Sequence, residues 1–304
     1  MIVSYRCEAL LRDCLESLRR HPASVPTRIQ VIDNASGDGT SGMVAREFPS
    51  VELTVNRRNA GFAAAANLGI AGGSAPYVLV LNPDCEIREG TLDRLLDLLG
   101  ARPEVGICGP MLVRPSGEPD HAAKRGFPTP LSSLGHFAGL GRRPRAPAAL
   151  RGYVAPDPSR GGPVDAVNGA FMLMRRATLD RIGAFDEGYW MYMEDLDLSY
   201  RARQAGWLTW YEPAAVATHL KSGTVGPHRS LRLNYAFHYG MYRFYCTHYA
   251  PLHNQLTNAV VYVAIAVKFA LSVGRDSVRR LSLLCRRRLL RHDRSSPRWP
   301  VGLS

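Results

Sequence analysis

The stretch YVLVLNPD, residues 77–84, combines an apolar run with an abrupt polar end. Tyr77 to Leu81 are all apolar or aromatic, as a strand requires when both faces of its sheet are covered. The run stops at Asn82, Pro83 and Asp84, so the strand delivers a carboxylate to the edge of the sheet. An aspartate there can hold Mg²⁺ or Mn²⁺, which in turn binds a diphosphate. The alternative is a turn in which the proline only ends the strand.

Strands and helices alternate around this stretch over the first hundred residues. The other predicted strands are MIVSY (1–5), RIQVIDN (28–34), VELTVN (51–56) and VGICGPMLV (105–113), and the predicted helices are residues 8–20, 40–48, 61–73 and 90–102. This alternation predicts an α/β fold with a mostly parallel sheet flanked by helices. Residues 114–163 are rich in Pro, Gly and Arg, which predicts an irregular excursion across the surface.

The size of the chain indicates one large domain with a C-terminal extension. The 304 residues are 46% hydrophobic, which is enough for a substantial core. The six cysteines form no CxxC pair and no Cys/His spacing that suits structural zinc. They therefore predict free thiols in a reducing compartment.

The net charge of +12 is concentrated near the C-terminus, where residues 275–298 contain nine Arg and two Asp. Residues 256–273, directly before them, are strongly apolar with one lysine. This order predicts a helix on or shallowly inserted in an anionic membrane surface. A membrane span and a helix packed on the catalytic domain remain alternatives. We expect no nucleic-acid partner, because the basic tail lacks interleaved aromatic residues and no DNA-binding motif is present.

A glycine pattern after the second strand suggests a different ligand. The motif GxGxxG is satisfied by Gly37, Gly39 and Gly42. The downstream arginines at 57 and 58 would suit the 2′-phosphate of NADP. An NADP-dependent oxidoreductase that uses segment 37–42 is therefore an alternative. Against it, the pattern follows the second strand, and Asp33 and Asp38 would face a pyrophosphate.

Asp33, at the end of the second strand, fits a nucleotide-binding role better than it fits the NADP-binding pattern. Asp33 and Asn34 can accept hydrogen bonds from a nucleotide base or from ribose, because ligands of open α/β sheets bind at the carboxyl ends of strands. An Asx turn is the structural alternative, and the two interpretations are compatible.

Three carboxylates follow aromatic and methionine residues in GYWMYMEDLDLSYRARQAGW, residues 188–207. If a helix begins near Met193, Asp195 and Asp197 point roughly 200° apart and cannot serve one site equally. All three carboxylates lie in the first turn, where the helix dipole favours anions, and this structural role is the interpretation we favour for Asp197.

Six segments in this order resemble the family 2 glycosyltransferases, in particular bacterial rhamnosyltransferase-like members. They are VIDNASGDGT, NRRNAGFAAAANLGI, LVLNPD, VNGAFMLMRR, FDEGYWMYMEDLDLSYRARQAGW and ATHLKSG. The resemblance covers roughly residues 1–250 and implies a nucleotide-diphospho-sugar transferase fold of the GT-A type with inverting transfer. It divides the catalytic domain into a donor-binding half (1–113), the excursion (114–163) and a catalytic half (164–250), ahead of the extension 251–304.

The resemblance also assigns roles to single residues. Asp33 matches the base-binding aspartate, and Asp84 matches the last aspartate of the metal-binding DxD motif, whose first position is Asn82 here. His219 matches a histidine that can join the shell of the divalent metal, Mg²⁺ or Mn²⁺. Asp195 matches the catalytic base, and Glu194 is the alternative base or an acceptor contact.

The remaining predicted contacts surround these residues. The segment after the third strand supplies donor contacts through Asn59, Gly61 and Asn67, and Trp190 and Lys221 are expected near the acceptor. A Tyr-Asn pair usually ends the first strand in the family, whereas this chain has Tyr5 followed by arginine. We predict sugar transfer, with L-rhamnose from dTDP-rhamnose as the best candidate, to a cell-envelope glycan or polyprenyl-diphosphate-linked acceptor. We place it at the cytoplasmic face of a bacterial cell membrane.

Overall fold

A computed structural model describes residues 1–129, 157–220 and 230–293, with side chains up to residue 275. The strands in these ranges are β1 (Ile2–Ser4), β2 (Gln30–Asp33), β3 (Glu52–Val55), β4 (Tyr77–Leu81), β5 (Cys85–Ile87), β6 (Val105–Val113), β7 (Lys124–Arg125), β8 (Gly162–Val164), β9 (Ala166–Val167), β10 (Phe171–Arg175) and β11 (Leu208–His219). The helices are α1 (Glu8–Arg20), α2 (Thr40–Glu47), α3 (Phe62–Ala71), α4 (Thr91–Ala101), α5 (Arg176–Ile182), α6 (Glu194–Gln204), α7 (Leu231–His248) and α8 (Gln255–Asp293).

The main sheet has the strand order β3-β2-β1-β4-β10-β6-β11-β5, and β8 pairs with β11. The strands from β3 to β4 run parallel, as do β6 and β11. The prediction of a mostly parallel sheet flanked by helices is confirmed. Strand β10 runs antiparallel to both of its neighbours, β4 and β6. Its direction was not predicted, because an apolar strand has the same pattern in either direction.

The core forms where the apolar helical faces meet this sheet. Leu11, Leu15 and Leu18 recur at helical spacing along α1 and are buried. In α3 the alanines at 63, 65 and 66 are fully buried, and their small side chains let the helix lie close to the sheet. The five cysteines in the part of the chain with described side chains are free thiols.

The predicted excursion contains some order at its two described ends. Strand β7 pairs with β9, just ahead of β10, and β8 pairs with β11. Residues 130–156 of the excursion lie outside the described residues. The segment before them therefore forms a small sheet with β9 and, as described below, reaches the first turn of α6.

Helices α7 and α8 form an antiparallel hairpin, joined through a short 3-10 helix, Ala250–Leu252. The Tyr245 hydroxyl donates to Asn258 Oδ1 over 2.7 Å, and at the other end Asn234 Nδ2 donates to Ser272 Oγ over 2.9 Å. The part of α8 from Gln255 to Arg275 is long and apolar enough to cross a membrane, by length and composition alone. None of its most apolar stretch is buried.

Candidate active site

The carboxyl ends of β1, β2 and β4 lie side by side and define what we call the donor edge. Ser4 at the end of β1 is in register with Asp33 at the end of β2, and Ile2 is in register with Leu81 of β4. Asn82 to Asp84 therefore continue past the sheet at the same edge as Asp33. Ligands of open α/β sheets bind at such an edge.

Asp33 is buried and bonds to the turn that follows it, but three residues on rather than the two of an Asx turn. Its Oδ1 accepts a hydrogen bond from the Ser36 amide over 3.1 Å and another from the Ser36 hydroxyl. The Ser36 hydroxyl in turn accepts from the Arg6 amide over 2.9 Å. Arg6 has a positive φ of 52° and its guanidinium lies over the half-exposed Tyr5 ring. The turn fixes Asp33 at the donor edge, and its contact with a base stays a prediction.

Asn34 holds the loop between β3 and α3. Its Nδ2 donates to Asn59 Oδ1 over 3.1 Å and to the Gly61 carbonyl over 3.0 Å. Its Oδ1 accepts from Asn56 Nδ2 and from the Ala60 amide, each over 3.0 Å. The amide thus bonds to protein groups at both donor and both acceptor positions, which is the pattern of a residue that shapes the pocket wall.

The same loop contacts the segment that precedes α6. Gly61 has φ 91°, and a Cβ there would lie 2.4 Å from the Trp190 carbonyl oxygen. That carbonyl accepts from the Phe62 amide over 2.8 Å. Asn67 is bonded to the backbone of Phe185 through both its amide atoms, at 2.8 and 3.0 Å. The predicted donor loop and the predicted acceptor segment are therefore one connected structure.

Asp84 and His219 meet because β5 pairs with the end of β11. Residues 85 and 219 are in register, and His219 Nε2 lies 3.5 Å from Asp84 Oδ1. On the other side of the ring, Nδ1 lies 3.7 Å from Oδ2 of Asp120, a buried residue that sequence reasoning missed. Burial acts to lower the pKa of His219, but the carboxylates of Asp120 and Asp84 outweigh it and raise the pKa to about 9.

The donor set of this cluster fits a divalent cation. One ligand atom each from Asp84, Cys85 and His219 lies within 4.8 Å of the others, and all three residues are buried. Carboxylate oxygen is the ligand that Mg²⁺ and Mn²⁺ prefer, and imidazole is a common addition. The Cys85 sulfur bonds weakly to the Ala170 carbonyl, and burial raises the pKa of its thiol, so the oxygen and nitrogen atoms are the better ligands.

The predicted base Asp195 lies in the first turn of α6. Its Oδ2 accepts from the Arg125 guanidinium and from the Gly169 amide, the latter over 2.9 Å. Its Oδ1 accepts from the Leu196 amide over 2.8 Å. Arg125 lies in β7, within the segment predicted to be irregular. The carboxylate is thus fixed by partners from three different elements.

Asp197 has a separate set of partners. Its Oδ1 accepts from His248 Nε2 over 2.7 Å and its Oδ2 from Arg201 Nε over 2.8 Å. Burial acts to raise the pKa of Asp197, but His248 and Arg201 outweigh it, and the pKa is lowered. This carboxylate joins α6 to α7, in agreement with the structural role favoured above.

Glu194 is buried with one carboxyl oxygen, Oε2, that has no hydrogen-bond partner among the described residues. Burial and the neighbouring charge of Asp195 raise the pKa of Glu194 to about 8. At neutral pH its carboxyl group is therefore mostly protonated and can donate a hydrogen bond.

Trp190 lies between the donor loop and α7. The Arg232 guanidinium lies over its indole ring, 4.0 Å from the ring centroid. The other predicted acceptor residue, Lys221, is outside the described residues. A cavity of about 260 Å³ next to the donor loop is lined by Asn56, Arg57, Arg58, Ala60, Ala64, Leu68 and Glu187.

This sheet, with aspartates at one edge and a carboxylate-rich helix beside it, has the arrangement of an α/β enzyme that binds its ligand at the carboxyl ends of the strands. Residues 1–183 match the family model Glycosyl transferase family 2, and the chain belongs to that family. It is therefore a glycosyltransferase, and the family membership excludes the NADP-dependent alternative. Gly42 of the glycine pattern lies inside α2.

One curated relative and two solved structures agree with this assignment. The chain is 34% identical over 216 residues to an N-acetylglucosaminyl-diphospho-decaprenol L-rhamnosyltransferase of Mycobacterium tuberculosis, covering 66% of this chain and 69% of the relative. It superposes with a TM-score of 0.56 on the mannosyltransferase PcManGT of Pyrobaculum calidifontis in complex with GDP-Man and Mn²⁺, at 16% identity, over 95% of this chain and 78% of that one.

The second structure is GalNAc-T7 with UDP, GalNAc and Mn²⁺. Its TM-score is 0.52 at 15% identity, over 72% of this chain, which spans 42% of the length of GalNAc-T7. Both structures share the fold of this chain. The predicted GT-A type fold and the resemblance to rhamnosyltransferases are confirmed.

Proposed function

We propose that the chain moves L-rhamnose from dTDP-rhamnose to an N-acetylglucosaminyl acceptor linked through a diphosphate to a polyprenyl chain. The observation that carries the proposal is the 34% identity to a mycobacterial enzyme whose name gives the transferred sugar, L-rhamnose, and an acceptor of this class. The arrangement of the site supports it, because cation-binding residues and a candidate base occupy separate parts of one connected structure.

The donor edge would hold the nucleotide diphosphate. Asp33 is positioned to accept from the base, while Asn34 keeps Asn59 and Gly61 in place beside it. Asp84 and the neutral imidazole of His219 would hold a divalent metal ion, with Asn82 as a predicted donor contact beside them. When bound, such an ion neutralises the charge that develops on the leaving diphosphate.

Asp195 would act on the acceptor. An inverting transfer needs one base that takes the proton from the acceptor hydroxyl as that oxygen attacks the anomeric carbon. Arg125 and the Gly169 amide hold the Asp195 carboxylate in a single position. Glu194, protonated at neutral pH, can donate to an acceptor oxygen, with Trp190 and Lys221 as further predicted acceptor contacts.

We also propose that the enzyme lies on the cytoplasmic face of a bacterial cell membrane. The exposed residues of α8 include Leu256, Val260, Val263, Val267 and Leu271, all on one helical face. The arginine-rich residues from 275 onwards follow them in the sequence. An apolar face next to basic residues is typical of helices that lie in an anionic interface.

Surface binding suits the hairpin better than a membrane span. Helix α8 forms hydrogen bonds to α7 near both ends of its apolar segment, through Asn258 and Ser272. Helix α7 is itself tied to the catalytic domain by the ion pair between Arg243 and Asp186, at 2.8 Å. A spanning α8 would draw the charged α7 into hydrocarbon, which is energetically unfavourable.

A thermal-shift panel tests the donor and the metal together. The panel contains Mg²⁺ or Mn²⁺ with dTDP-rhamnose, UDP-glucose, UDP-N-acetylglucosamine, GDP-mannose or NADPH. A ligand at a hundred times its Kd stabilises the native state by about 2.7 kcal/mol, so we expect a clear rise in Tm with dTDP-rhamnose that requires the metal. Asp84→Asn should remove this rise, while Glu86→Gln in the adjacent strand β5 keeps it. A metal-independent rise, or one with another nucleotide sugar only, contradicts the proposed donor site.

Vesicle co-sedimentation tests the membrane proposal. Val263→Glu combined with Val267→Glu should lower binding to vesicles of phosphatidylglycerol and phosphatidylcholine, because both side chains are on the exposed apolar face. Val25→Glu is the matched control, since Val25 is an exposed valine far from α8 in the sequence. Equal binding of all three proteins would contradict the proposed surface.

A further inference from the structure

Helix α7 begins at the rim of the candidate site. Ser230 caps it, with its hydroxyl accepting from the Leu233 amide over 3.3 Å. Arg232, in the first turn, lies over Trp190. Trp190 binds the start of α3 through its carbonyl and precedes Asp195 by five residues. The Arg232 guanidinium is therefore next to the acceptor side of the site.

Arg232 differs from the other arginines around α6. Arg125, Arg201 and Arg243 each pair with an aspartate. Arg232 is exposed, and within the described part of the chain no carboxylate forms an ion pair with it. A planar guanidinium stacked on a ring keeps its N–H groups in a fixed fork, which matches the geometry of phosphate oxygens.

The charge around Arg232 also suits an anion. The sequence contains no Asp or Glu between Glu212 and Asp276. The antiparallel hairpin pairs Asn234 with Ser272, and this register brings the exposed Arg275 to the level of the first turn of α7. The end of the hairpin nearest the site thus carries Arg232 and Arg275, and the only acidic residue of the hairpin near them in the sequence is Asp276, which follows Arg275.

A row of exposed aromatic side chains leads away from this end. Tyr235, Tyr239 and Tyr242 are 57%, 37% and 43% exposed, and their spacing places them on one face of α7. The ring centroids of Tyr235 and Tyr239 are 5.9 Å apart, and those of Tyr239 and Tyr242 are 6.4 Å apart. At its far end Tyr242 contacts Tyr262 of α8, 5.4 Å between centroids. We call Tyr235, Tyr239 and Tyr242 the tyrosine row.

We propose that Arg232 on Trp190 binds the diphosphate of a lipid-linked acceptor and that the tyrosine row binds the first part of its isoprenoid chain. The order of groups in such a molecule is sugar, diphosphate, lipid. On the protein, Trp190, five residues before Asp195 in the sequence, contacts Arg232, and the tyrosine row follows Arg232 along α7, so the diphosphate and the lipid would each meet a side chain of matching chemistry. This inference rests on the proposed function for the class of acceptor, and it does not depend on the donor sugar.

A binding experiment without donor or metal tests it directly. The probe is farnesyl diphosphate in EDTA, with farnesol and inorganic diphosphate as partial ligands, and binding is measured by calorimetry. Removing a charge-assisted contact should weaken farnesyl diphosphate binding roughly ten- to a hundredfold in Arg232→Ala, and Arg232→Lys should recover only part of it. Arg20→Ala is the matched control, because Arg20 is exposed on α1. Farnesol should bind equally to all four proteins.

A second variant tests the lipid part of the surface. Tyr239→Ala should weaken farnesyl diphosphate and leave inorganic diphosphate binding unchanged. An Arg232→Ala protein that binds farnesyl diphosphate as the wild type does would overturn the proposal. So would equal losses for farnesol and farnesyl diphosphate, because Arg232 would then act only by holding Trp190.

The outcomes separate this inference from the proposed function. If Arg232→Ala also loses binding to phosphatidylglycerol vesicles that contain no isoprenoid, and does so to the same extent, the surface recognises lipid headgroups and the proposal is wrong. If farnesyl diphosphate binds through Arg232 but dTDP-rhamnose gives no thermal shift, the result supports the acceptor surface and contradicts the proposed donor.

Discussion

The carboxylates of the donor edge and those of helix α6 are held in different ways. Asp33 accepts from the hydroxyl and amide of Ser36, and Asp84 lies beside an imidazole. On α6, Asp195 and Asp197 each accept from an arginine. A carboxylate with neutral or titratable neighbours keeps its attraction for a ligand or a cation, whereas one paired with arginine is fixed in place. The difference suggests that the donor edge is built to bind and α6 to position.

The largest effect should come from Asp195, the α6 carboxylate proposed as the base. Asp195→Asn preserves size and most hydrogen bonds but removes the base, so we expect kcat to fall by about 10²–10⁴. Thermal shifts with donor and metal should remain as in the wild type, because the donor edge is unchanged. If the variant lost donor binding together with activity, Asp195 would be a structural residue like Asp197. The proposed difference between the donor edge and α6 would then be wrong.

Asp197→Asn should affect stability where Asp195→Asn affects turnover. Removing one partner of a buried ion pair destabilises by about 3–5 kcal/mol, and urea unfolding at pH 7 would measure it. The pKa of Asp197 is lowered in the fold. Its contribution is therefore complete above the ordinary aspartate pKa and is lost as the pH falls through the lower folded value. The gap between variant and wild type should stay constant down to about pH 4 and then narrow. A gap that already narrows between pH 7 and pH 5 would mean that another group is responsible.

Glu194→Gln should show the opposite pH dependence. The pKa of Glu194 is raised from 4.5 to about 8, so the folded state holds a proton that the unfolded state releases, and wild-type stability falls as the pH rises from about 5 to about 8. The glutamine has no such proton. We expect the variant to gain a few kcal/mol over the wild type at pH 8 relative to pH 5. Parallel Tm profiles for the two proteins would contradict the raised pKa.

The smallest effect concerns the donor edge. Arg6 has a left-handed backbone, a conformation that asparagine tolerates better than arginine. Arg6→Asn should stabilise the fold by about 0.5 kcal/mol, since the lost contact with Tyr5 offsets part of the gain. Arg6→Ala serves as the control, because it removes the same side chain without tolerating the backbone better. Equal unfolding free energies for the two variants would rule out the backbone explanation.

The sequence predicted the donor edge better than the surroundings of α6, and the reason is distance along the chain. Asp33 and Asp84 end strands whose apolar pattern is visible within a few residues. Arg125 and Asp195 are 70 residues apart, and Asp197 and His248 are 51 apart. No local pattern connects such pairs. Asp120 was missed for the same reason, since only the fold brings it to His219.

The exposure of one face of α8 also could not be predicted from the sequence. An apolar run of this length has the same periodicity whether it packs in a core, crosses a membrane or lies on a surface. In the structure one face of this segment contacts α7 and the other is exposed, which no hydropathy pattern could separate.

The backbone ahead of α6 has a consequence for motion. Tyr192 and Met193 both have positive φ, 71° and 73°, which is unfavourable for such side chains. Both are held by α7, Tyr192 through the Phe237 ring and Met193 through the buried cluster that contains Phe244. A shift of α7 would release this backbone directly before Glu194 and Asp195. The hairpin and the candidate base are thus coupled through packing, because α7 contacts the strained residues that directly precede the first turn of α6.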